Sequence, residues 1–335
     1  MPAVLTIDPC TYCQLRCPGC PNTSGSKPLG VGRGKLRLED LRNVLDNNPF
    51  IRAVRFDCFG EMFLNTELQP MIEYCVEKGI AVFLGSTNFN VVQDGLLESL
   101  VRLQVRSLMV AIDGATPETY SSYRVGGDFL KVLANIREVN KFKAVYHLPF
   151  PELTWQFVVF GHNEHELPIA KALAKELGMV FVSKLAWDSN LSPIRDARSV
   201  MQETGWSATN RDESFAINKR HYMADVCRAL WRSPRVNWDG RVVGCCWSQE
   251  SMGGNVFRDG YLRAINAEKI RYARKMLMGK AAPRDDVACS RCQIYKTRRS
   301  AADFMMPEMG PLRRQWLRLL HRSFGLQFLR KCRHK

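Results

Sequence analysis

An alternation of short apolar runs with helical periods, between residues 3 and about 185, most constrains how this chain can fold. Polar residues or glycines bound each apolar run, which is typical of buried strands that alternate with helices. The predicted strands are Val4–Ile7, Ala53–Phe56, Ala81–Gly85, Ser107–Ile112, Trp155–Phe160 and Met179–Ser183. Six βα units around a parallel sheet predict an α/β fold that closes only part of a barrel.

Helical periods follow these runs, at Leu38–Leu45, Leu68–Lys78, Asp94–Leu103, Phe129–Lys141 and Glu164–Leu177. The barrel is therefore predicted over residues 1–187. Residues 188–220 are polar and weakly patterned, which indicates a linker. A small cysteine-bearing α+β domain is predicted over 221–305, followed by a basic tail over 306–335.

The chain has 12 cysteines, with none between Cys75 and Cys227. The N-terminus has no basic region before its short apolar run, and no apolar stretch has the roughly 20 residues that a membrane span needs. These features predict a cytoplasmic protein. In a reducing compartment, clustered thiols indicate metal binding or catalysis more often than disulfides.

The first cysteine cluster follows the first predicted strand, with cysteines at positions 10, 13, 17 and 20. A C-x3-C-x2-C loop can hold three irons of a cubane and leave the fourth iron without a protein ligand. All four thiols together would instead suit a closed tetrahedral zinc site. The spacing alone leaves both alternatives open.

This spacing, on the loop after the first strand, resembles the radical S-adenosylmethionine (SAM) superfamily, whose fold is a partial (β/α)6 TIM barrel. The resemblance implies that Cys13, Cys17 and Cys20 hold a [4Fe-4S] cluster whose open iron binds SAM. It also implies reductive cleavage of SAM to a 5′-deoxyadenosyl radical. Cys10 is interpreted as a neighbour of the cluster and not as a ligand.

Four later loops are similar to the SAM-binding segments of that superfamily. The residues implied to bind SAM are Gly60 and Glu61, Ser86 and Asn88, Asp113 and Arg124, and Val159 on the strand whose backbone faces adenine. The sequence departs from the family pattern at two positions. Gly19 stands where an aromatic residue is usual, and Met62 stands where proline is usual.

The second cluster comprises Cys227, Cys245, Cys289 and Cys292. Asp239-Gly240 between valine-rich runs predicts a hairpin that brings Cys227 close to Cys245, and a helix is predicted at Tyr261–Met278. The segment resembles the SPASM/twitch auxiliary-cluster domain in its one-cluster twitch form. We therefore expect one auxiliary [4Fe-4S] cluster held by these four thiols, with zinc as the alternative.

Adjacent side chains of a strand face opposite ways, so Cys246 should point away from the cluster that Cys245 holds. It is interpreted as a core thiol, or alternatively as a hydrogen-atom donor in an epimerase. Cys58 and Cys75 are interpreted as buried structural thiols.

The tail from residue 311 carries six Arg, two Lys and no acidic residue, out of a net charge of +15 for the chain. A basic amphipathic helix is predicted from the positions of Leu312, Trp316, Leu319, Leu320 and Leu326. It would bind an anionic membrane surface or an anionic substrate, or dock on the protein body. Because the basic excess is concentrated in the tail, nucleic acid is not an expected partner.

Together these features predict a radical SAM oxidoreductase or epimerase. We expect a small or sugar-like substrate, because the barrel begins too near residue 1 for a preceding leader-peptide-binding domain. A flavodoxin- or ferredoxin-type protein is the electron donor that the resemblance implies. The alternatives are a ribosomal-peptide-modifying radical SAM enzyme, a zinc protein that binds nucleic acid, and an electron-transfer protein; the catalytic residues are not assigned.

Overall fold

The computed structural model of the protein describes residues 2–22, 30–57 and 59–306. The predictions for Cys58 and for the amphipathic helix of the tail lie outside these residues. No helix within the described ranges has both the length and the apolar character needed to cross a bilayer.

Eight strands form one sheet in the order β6-β5-β4-β3-β2-β1-β7-β8. They are β1 Val4–Ile7, β2 Ala53–Phe56, β3 Ala81–Thr87, β4 Ser107–Ala111, β5 Glu152–Val159, β6 Val180–Leu185, β7 Arg235–Val236 and β8 Val242–Gly244. Strands β1 to β6 are parallel and each pairs with the next one along the chain. All six predicted strands are confirmed, and so is the predicted partial barrel.

Helices connect the strands and cover the sheet. They are α1 Leu38–Asp46, α2 Leu68–Glu77, α3 Leu96–Arg102, α4 Pro117–Tyr123, α5 Phe129–Tyr146, α6 Leu167–Glu176, α7 Ala197–Thr204, α8 Arg211–Asn218, α9 Ala229–Arg232, α10 Val256–Asp259, α11 Tyr261–Ala264, α12 Glu268–Leu277 and α13 Gln293–Ser300. Short 3₁₀ helices lie at Met62–Leu64, Glu164–Glu166, Ser189–Leu191, Ala224–Arg228 and Ala288–Arg291. The single helix predicted at Tyr261–Met278 is two helices, α11 and α12.

The segment at 188–220, predicted as a linker from its polar composition, contains helices α7 and α8. Each begins at a capping side chain. Asp196 accepts a hydrogen bond from the backbone N–H of Ser199, and Asn210 accepts one from that of Glu213. These caps satisfy backbone donors that a short polar helix would otherwise leave exposed.

The core lies between the parallel strands and their helices, as expected when both faces of a sheet are covered. Leu5 and Ile7 of β1, Phe56 of β2 and Trp155 of β5 are fully buried. The indole N–H of Trp155 donates to the carbonyl of Ile112 at 2.8 Å, so even this large polar side chain is satisfied. Cys75 of α2 is also buried, as predicted, and burial raises its pKa to about 12.

The cysteine-bearing C-terminal domain is joined to the barrel through the sheet. Strand β7 pairs in parallel with β1 and antiparallel with β8, so the predicted hairpin extends the barrel sheet at its β1 edge. The buried Arg235 of β7 forms an ion pair with the buried Asp8, which follows β1, and its guanidinium also donates to the carbonyl of Asp57 at 3.1 Å. These contacts hold the two cysteine clusters on one rigid sheet.

Candidate active site

The first cysteine loop follows β1, at the carboxyl end of the parallel sheet. Burial, the Glu61 carboxylate and the nearby Cys17 and Cys20 thiols together raise the pKa of the Cys13 thiol to about 11. The thiols of Cys17 and Cys20 therefore lie close to that of Cys13. Cys10 is fully buried, and the largest charges acting on it are those of Lys35, Glu61 and Asp8.

Gly60 packs directly against this loop. A Cβ atom added at Gly60 would lie 2.3 Å from the carbonyl oxygen of Tyr12 and 2.5 Å from the carbonyl carbon of Thr11. The next residue, Glu61, donates its backbone N–H to the same Tyr12 carbonyl at 2.7 Å. Glycine is thus required here for the close approach of two backbones.

We expect Gly60→Ala to displace the cysteine loop, because neither backbone can yield 1 Å without breaking the bond between Glu61 and Tyr12. Overpacking of this kind costs about 1 to 3 kcal/mol. Reconstituted Gly60→Ala protein should hold less iron and unfold at a lower temperature than wild type. Gly178→Ala is the matched control, since Gly178 has φ +64° but open space around its α-carbon; it should lose stability only. Full iron content in Gly60→Ala would contradict this packing role.

The Glu61 carboxylate is buried and connects the second loop to the third. It accepts hydrogen bonds from the Thr87 hydroxyl at 2.6 Å, the Asn88 backbone N–H at 2.7 Å and the Phe63 backbone N–H at 3.2 Å. Burial raises its pKa, and these three hydrogen bonds oppose the rise. Glu61 therefore fixes the shape of the loop that follows β3.

Asn88 lies against the cysteine loop. Its amide nitrogen is 3.7 Å from the Cys13 sulfur, and its amide oxygen accepts a hydrogen bond from the Gln14 side chain at 2.9 Å. Ser86 is partly exposed, beside an irregularity in the pairing of β3 with β4. The structure thus brings Asn88, but not Ser86, against the Cys13 thiol.

Asp113 and Arg124 form a second polar connection to the loop. The Asp113 carboxylate is buried, receives the Arg124 guanidinium at 2.6 and 2.7 Å, and accepts the Val158 backbone N–H at 2.7 Å. A terminal nitrogen of Arg124 lies 4.0 Å from the Cys17 sulfur. Burial raises the pKa of Cys17 and the charge of Arg124 opposes that rise, so Arg124 favours the thiolate that a metal requires.

The residues that orient the ion pair between Asp113 and Arg124 were not predicted from the sequence. The buried Asn163 donates to the carbonyls of Asp113 and Val158, at 3.1 and 2.9 Å. The Glu166 carboxylate accepts a hydrogen bond from the Thr116 hydroxyl at 2.7 Å and another from the Ala115 backbone N–H. Val159, predicted on the adenine-facing strand, is the last residue of β5 and is buried. The sequence feature that could have identified these residues is the presence of polar residues directly after predicted strands.

The second cysteine cluster surrounds a cavity of about 320 Å³, lined among others by Cys245, Cys289, Cys292 and Trp247. Burial raises the pKa of Cys289, and the charges of Cys245, Cys227 and Cys292 raise it further. Burial also raises the pKa of Cys227 to about 11 and that of Cys245 to about 12. All four predicted ligands therefore converge.

Arg298 supplies a positive charge beside this cluster. Burial raises the pKa of Cys227, whereas the charge of Arg298 and a hydrogen bond from it lower it. A second terminal nitrogen of Arg298 donates to the Ala224 carbonyl at 3.0 Å, which fixes the guanidinium. A cation held in this way beside a metal ligand tunes and orients that ligand.

These surroundings fit two polynuclear metal sites. Buried thiols ionise only when a nearby cation compensates for lost hydration, and thiolate donors suit iron–sulfur clusters or zinc. The first site offers three thiols and the second offers four. Within the described ranges, no group of three or more His, Cys, Asp or Glu side chains is arranged for a single metal ion.

Cys246 lies near a different set of groups from its neighbour Cys245. After burial, the largest charges acting on its thiol are those of Arg235, Asp57 and Lys184. Lys184 belongs to β6, and its ammonium donates a hydrogen bond to the Gln156 side chain of β5. Cys246 of the C-terminal domain therefore lies near Asp57, which follows β2, and near Lys184 of β6, whose partner Gln156 belongs to β5.

Comparisons with known proteins agree with this geometry. Residues 227–293 match the SPASM family model, described as an iron–sulfur cluster-binding domain. The structure of Streptococcus suis SuiB bound to S-adenosylmethionine is similar at a TM-score of 0.60 and 13% identity, over 89% of this chain and 70% of SuiB. SuiB bound to the precursor peptide SuiA is similar at a TM-score of 0.59 and 12% identity, over 89% of this chain and 71% of SuiB. BtrN in complex with AdoMet and 2-DOIA has a TM-score of only 0.46 and 18% identity, over 84% of this chain and 90% of BtrN. No curated protein matches.

The chain therefore has the fold of SuiB and a C-terminal segment, residues 227–293, that matches an iron–sulfur cluster-binding domain.

Proposed function

We propose that this protein is a radical SAM enzyme whose cofactors are a [4Fe-4S] cluster, SAM and an auxiliary cluster. We propose further that it abstracts a hydrogen atom from a small, sugar-like substrate held in a cleft between the barrel and the C-terminal domain. The observation that carries the proposal is the set of three neighbouring thiols, Cys13, Cys17 and Cys20, at the carboxyl end of the barrel. Three thiols leave one iron of a cubane open to SAM, as four would not.

At the first site, some residues are ligands of the cluster and others lie beside those ligands. Cys13, Cys17 and Cys20 hold the cluster, with Asn88 beside Cys13 and Arg124 beside Cys17. When bound and given one electron, the cluster and SAM supply a 5′-deoxyadenosyl radical that takes a hydrogen atom from an unactivated C–H bond. Gly60, Glu61, Ser86, Asn88, Asp113, Arg124 and Val159 remain our proposed residues for binding SAM. A flavodoxin- or ferredoxin-type protein is the proposed electron donor.

The character of the cleft supports a hydroxyl-rich substrate. Gln156 and Lys184 offer hydrogen bonds from neighbouring strands, and Asp57 adds a carboxylate. Burial lowers the pKa of Lys184, although the charges of Asp57, Cys246 and Asp113 oppose this. A peptide substrate is the alternative, supported by the fold shared with SuiB, whose structure contains the peptide SuiA.

Deuterium transfer from substrate to 5′-deoxyadenosine tests the substrate class. We expect transfer from a perdeuterated member of a panel of sugars and amino sugars, measured by mass spectrometry after single turnover. Transfer from deuterated peptides, with none from any sugar, would favour the alternative.

Two outcomes are compatible with the cleft. Cys227, Cys245, Cys289 and Cys292 would hold an auxiliary cluster that could supply an acceptor for one electron of the substrate radical. With loss of a proton to solvent, the net reaction would then be an oxidation. The place of Cys246 beside Asp57 and Lys184 supports epimerisation instead. In that case the thiol gives its hydrogen atom to the opposite face of the substrate carbon, and the resulting thiyl radical regains one electron and one proton from the electron donor and solvent.

Cys246→Ala separates these outcomes. If the thiol is the donor, wild type in D2O forms an epimer with one solvent deuterium at the reacting carbon, because thiol protons exchange. The variant should then consume SAM while forming at most about 1% as much epimer, since the hydrogen source is absent. Cys75→Ala, which removes a buried thiol far from the cleft, should behave as wild type. An unchanged product from Cys246→Ala would favour oxidation.

A further inference from the structure

Arg211, the first residue of α8, is a cation with unused hydrogen-bond donors. Its Nη2 donates to the carbonyl of Leu185 at 3.0 Å. Its Nε and Nη1 are hidden from solvent and have no hydrogen-bond partner among the residues that the structure describes. Buried polar nitrogens without partners are rare in native proteins, and a guanidinium is costly to leave in this state.

Aromatic rings enclose this guanidinium. Its central carbon lies 4.2 Å from the ring centre of Trp187 and 5.1 Å from that of Tyr222. Trp187 also packs against Trp247 of the C-terminal domain, with ring centres 4.6 Å apart, and remains more than half exposed. The rings hold Arg211 in place by cation–π contacts but provide no acceptor for its N–H groups.

No carboxylate in the described part of the chain neutralises Arg211. It takes part in no ion pair there, and burial lowers its pKa, with only Tyr222 acting in the opposite sense. Lys184 lies near enough for the charge of Arg211 to act on it. These two neighbouring cations therefore give one end of the proposed substrate site a positive charge.

We propose that Arg211 binds an oxyanion of the substrate, a phosphate or a carboxylate, while Trp187 packs against the adjoining ring of that substrate. This inference rests on the proposed function and narrows its substrate class to acidic sugars. Oxyanions make strong charge-assisted hydrogen bonds with guanidinium N–H groups, so an acidic group would satisfy Nε and Nη1 and neutralise the charge together. A neutral sugar would leave the charge of Arg211 uncompensated and would give Nε and Nη1 no charged acceptor.

Calorimetric titration of the anaerobically reconstituted protein tests the proposal, with glucose 6-phosphate, glucuronate and glucose as probes. We expect one or both acidic probes to bind wild type with a dissociation constant of about 1 mM or lower, and glucose to bind at least about tenfold more weakly. Arg211→Gln should weaken the acidic probe at least about tenfold and leave glucose unchanged, and Arg211→Lys should retain part of the difference. Which acid binds identifies the oxyanion.

Arg137→Gln is the matched control, because Arg137 of α5 is exposed and lies 4.0 Å from Glu176 on the outside of the barrel. It should bind every probe as wild type does. Equal affinity of Arg211→Gln and wild type for the acidic probes, or no acidic binding by wild type, overturns the proposal. The readout is binding and not turnover, so it stays separate from SAM cleavage, whose failure would instead refute the proposed function.

Discussion

Cys13→Ala is expected to abolish the formation of 5′-deoxyadenosine. The variant loses one of three neighbouring thiols in a buried loop. The two thiols that remain are too few to retain a [4Fe-4S] cluster. Reconstituted wild type should hold about eight iron atoms per chain, and the variant about four, because the C-terminal site remains. Iron analysis and chromatography of the reaction products measure both effects.

Cys10→Ala is the appropriate control for this loop. Cys10 is buried three residues before Cys13, and the main charges on it belong to Lys35, Glu61 and Asp8. Its replacement should cost about 1 kcal/mol of stability from the lost packing, with iron content and SAM cleavage retained. If Cys13→Ala still cleaves SAM, or if Cys10→Ala loses the cluster, our assignment of the three ligands is wrong.

Cys289→Ala should disrupt the second metal site and leave SAM cleavage intact. The charges of Cys245, Cys227 and Cys292 all act on Cys289, so its loss opens the second site and reduces iron to about four atoms per chain. SAM cleavage without substrate should stay within about twofold of wild type, because distant independent sites behave additively. Product formation that requires the auxiliary cluster should stop.

Cys75→Ala controls for removal of a buried thiol in general, since Cys75 packs within the barrel core. It should retain about eight iron atoms. Cys289→Ala protein with a full iron complement would show that the auxiliary site does not use this thiol. Zinc at the second site would be revealed by metal analysis, because wild type would then hold about four iron atoms and one zinc.

The strands of the barrel were predictable because each is an apolar run bounded by turn residues. Helix α4 was not predicted, although Thr116 caps it and Pro117 begins it, because its 7 residues are too few to show a helical period. Helices α7 and α8 were missed because a polar composition hid their caps. These helices depend on packing against the barrel, which composition does not show.

The grouping of the cysteines was predictable from their spacing and, for the second cluster, from the predicted hairpin. Contacts between distant segments were not predictable. Gly60 was expected to let the backbone approach SAM, but the close approach that the structure shows is to Thr11 and Tyr12. Arg211 lay within a predicted linker, and its burial depends on Trp187 and Tyr222 coming together. No local pattern carries such information.

The central claim is that a three-thiol cluster in this barrel cleaves SAM reductively. The most direct test is to mix anaerobically reconstituted protein with SAM and dithionite and to measure 5′-deoxyadenosine. We predict its formation by wild type and by Cys10→Ala, and its absence with Cys13→Ala. Iron-loaded wild-type protein that leaves SAM intact under these conditions would contradict the account.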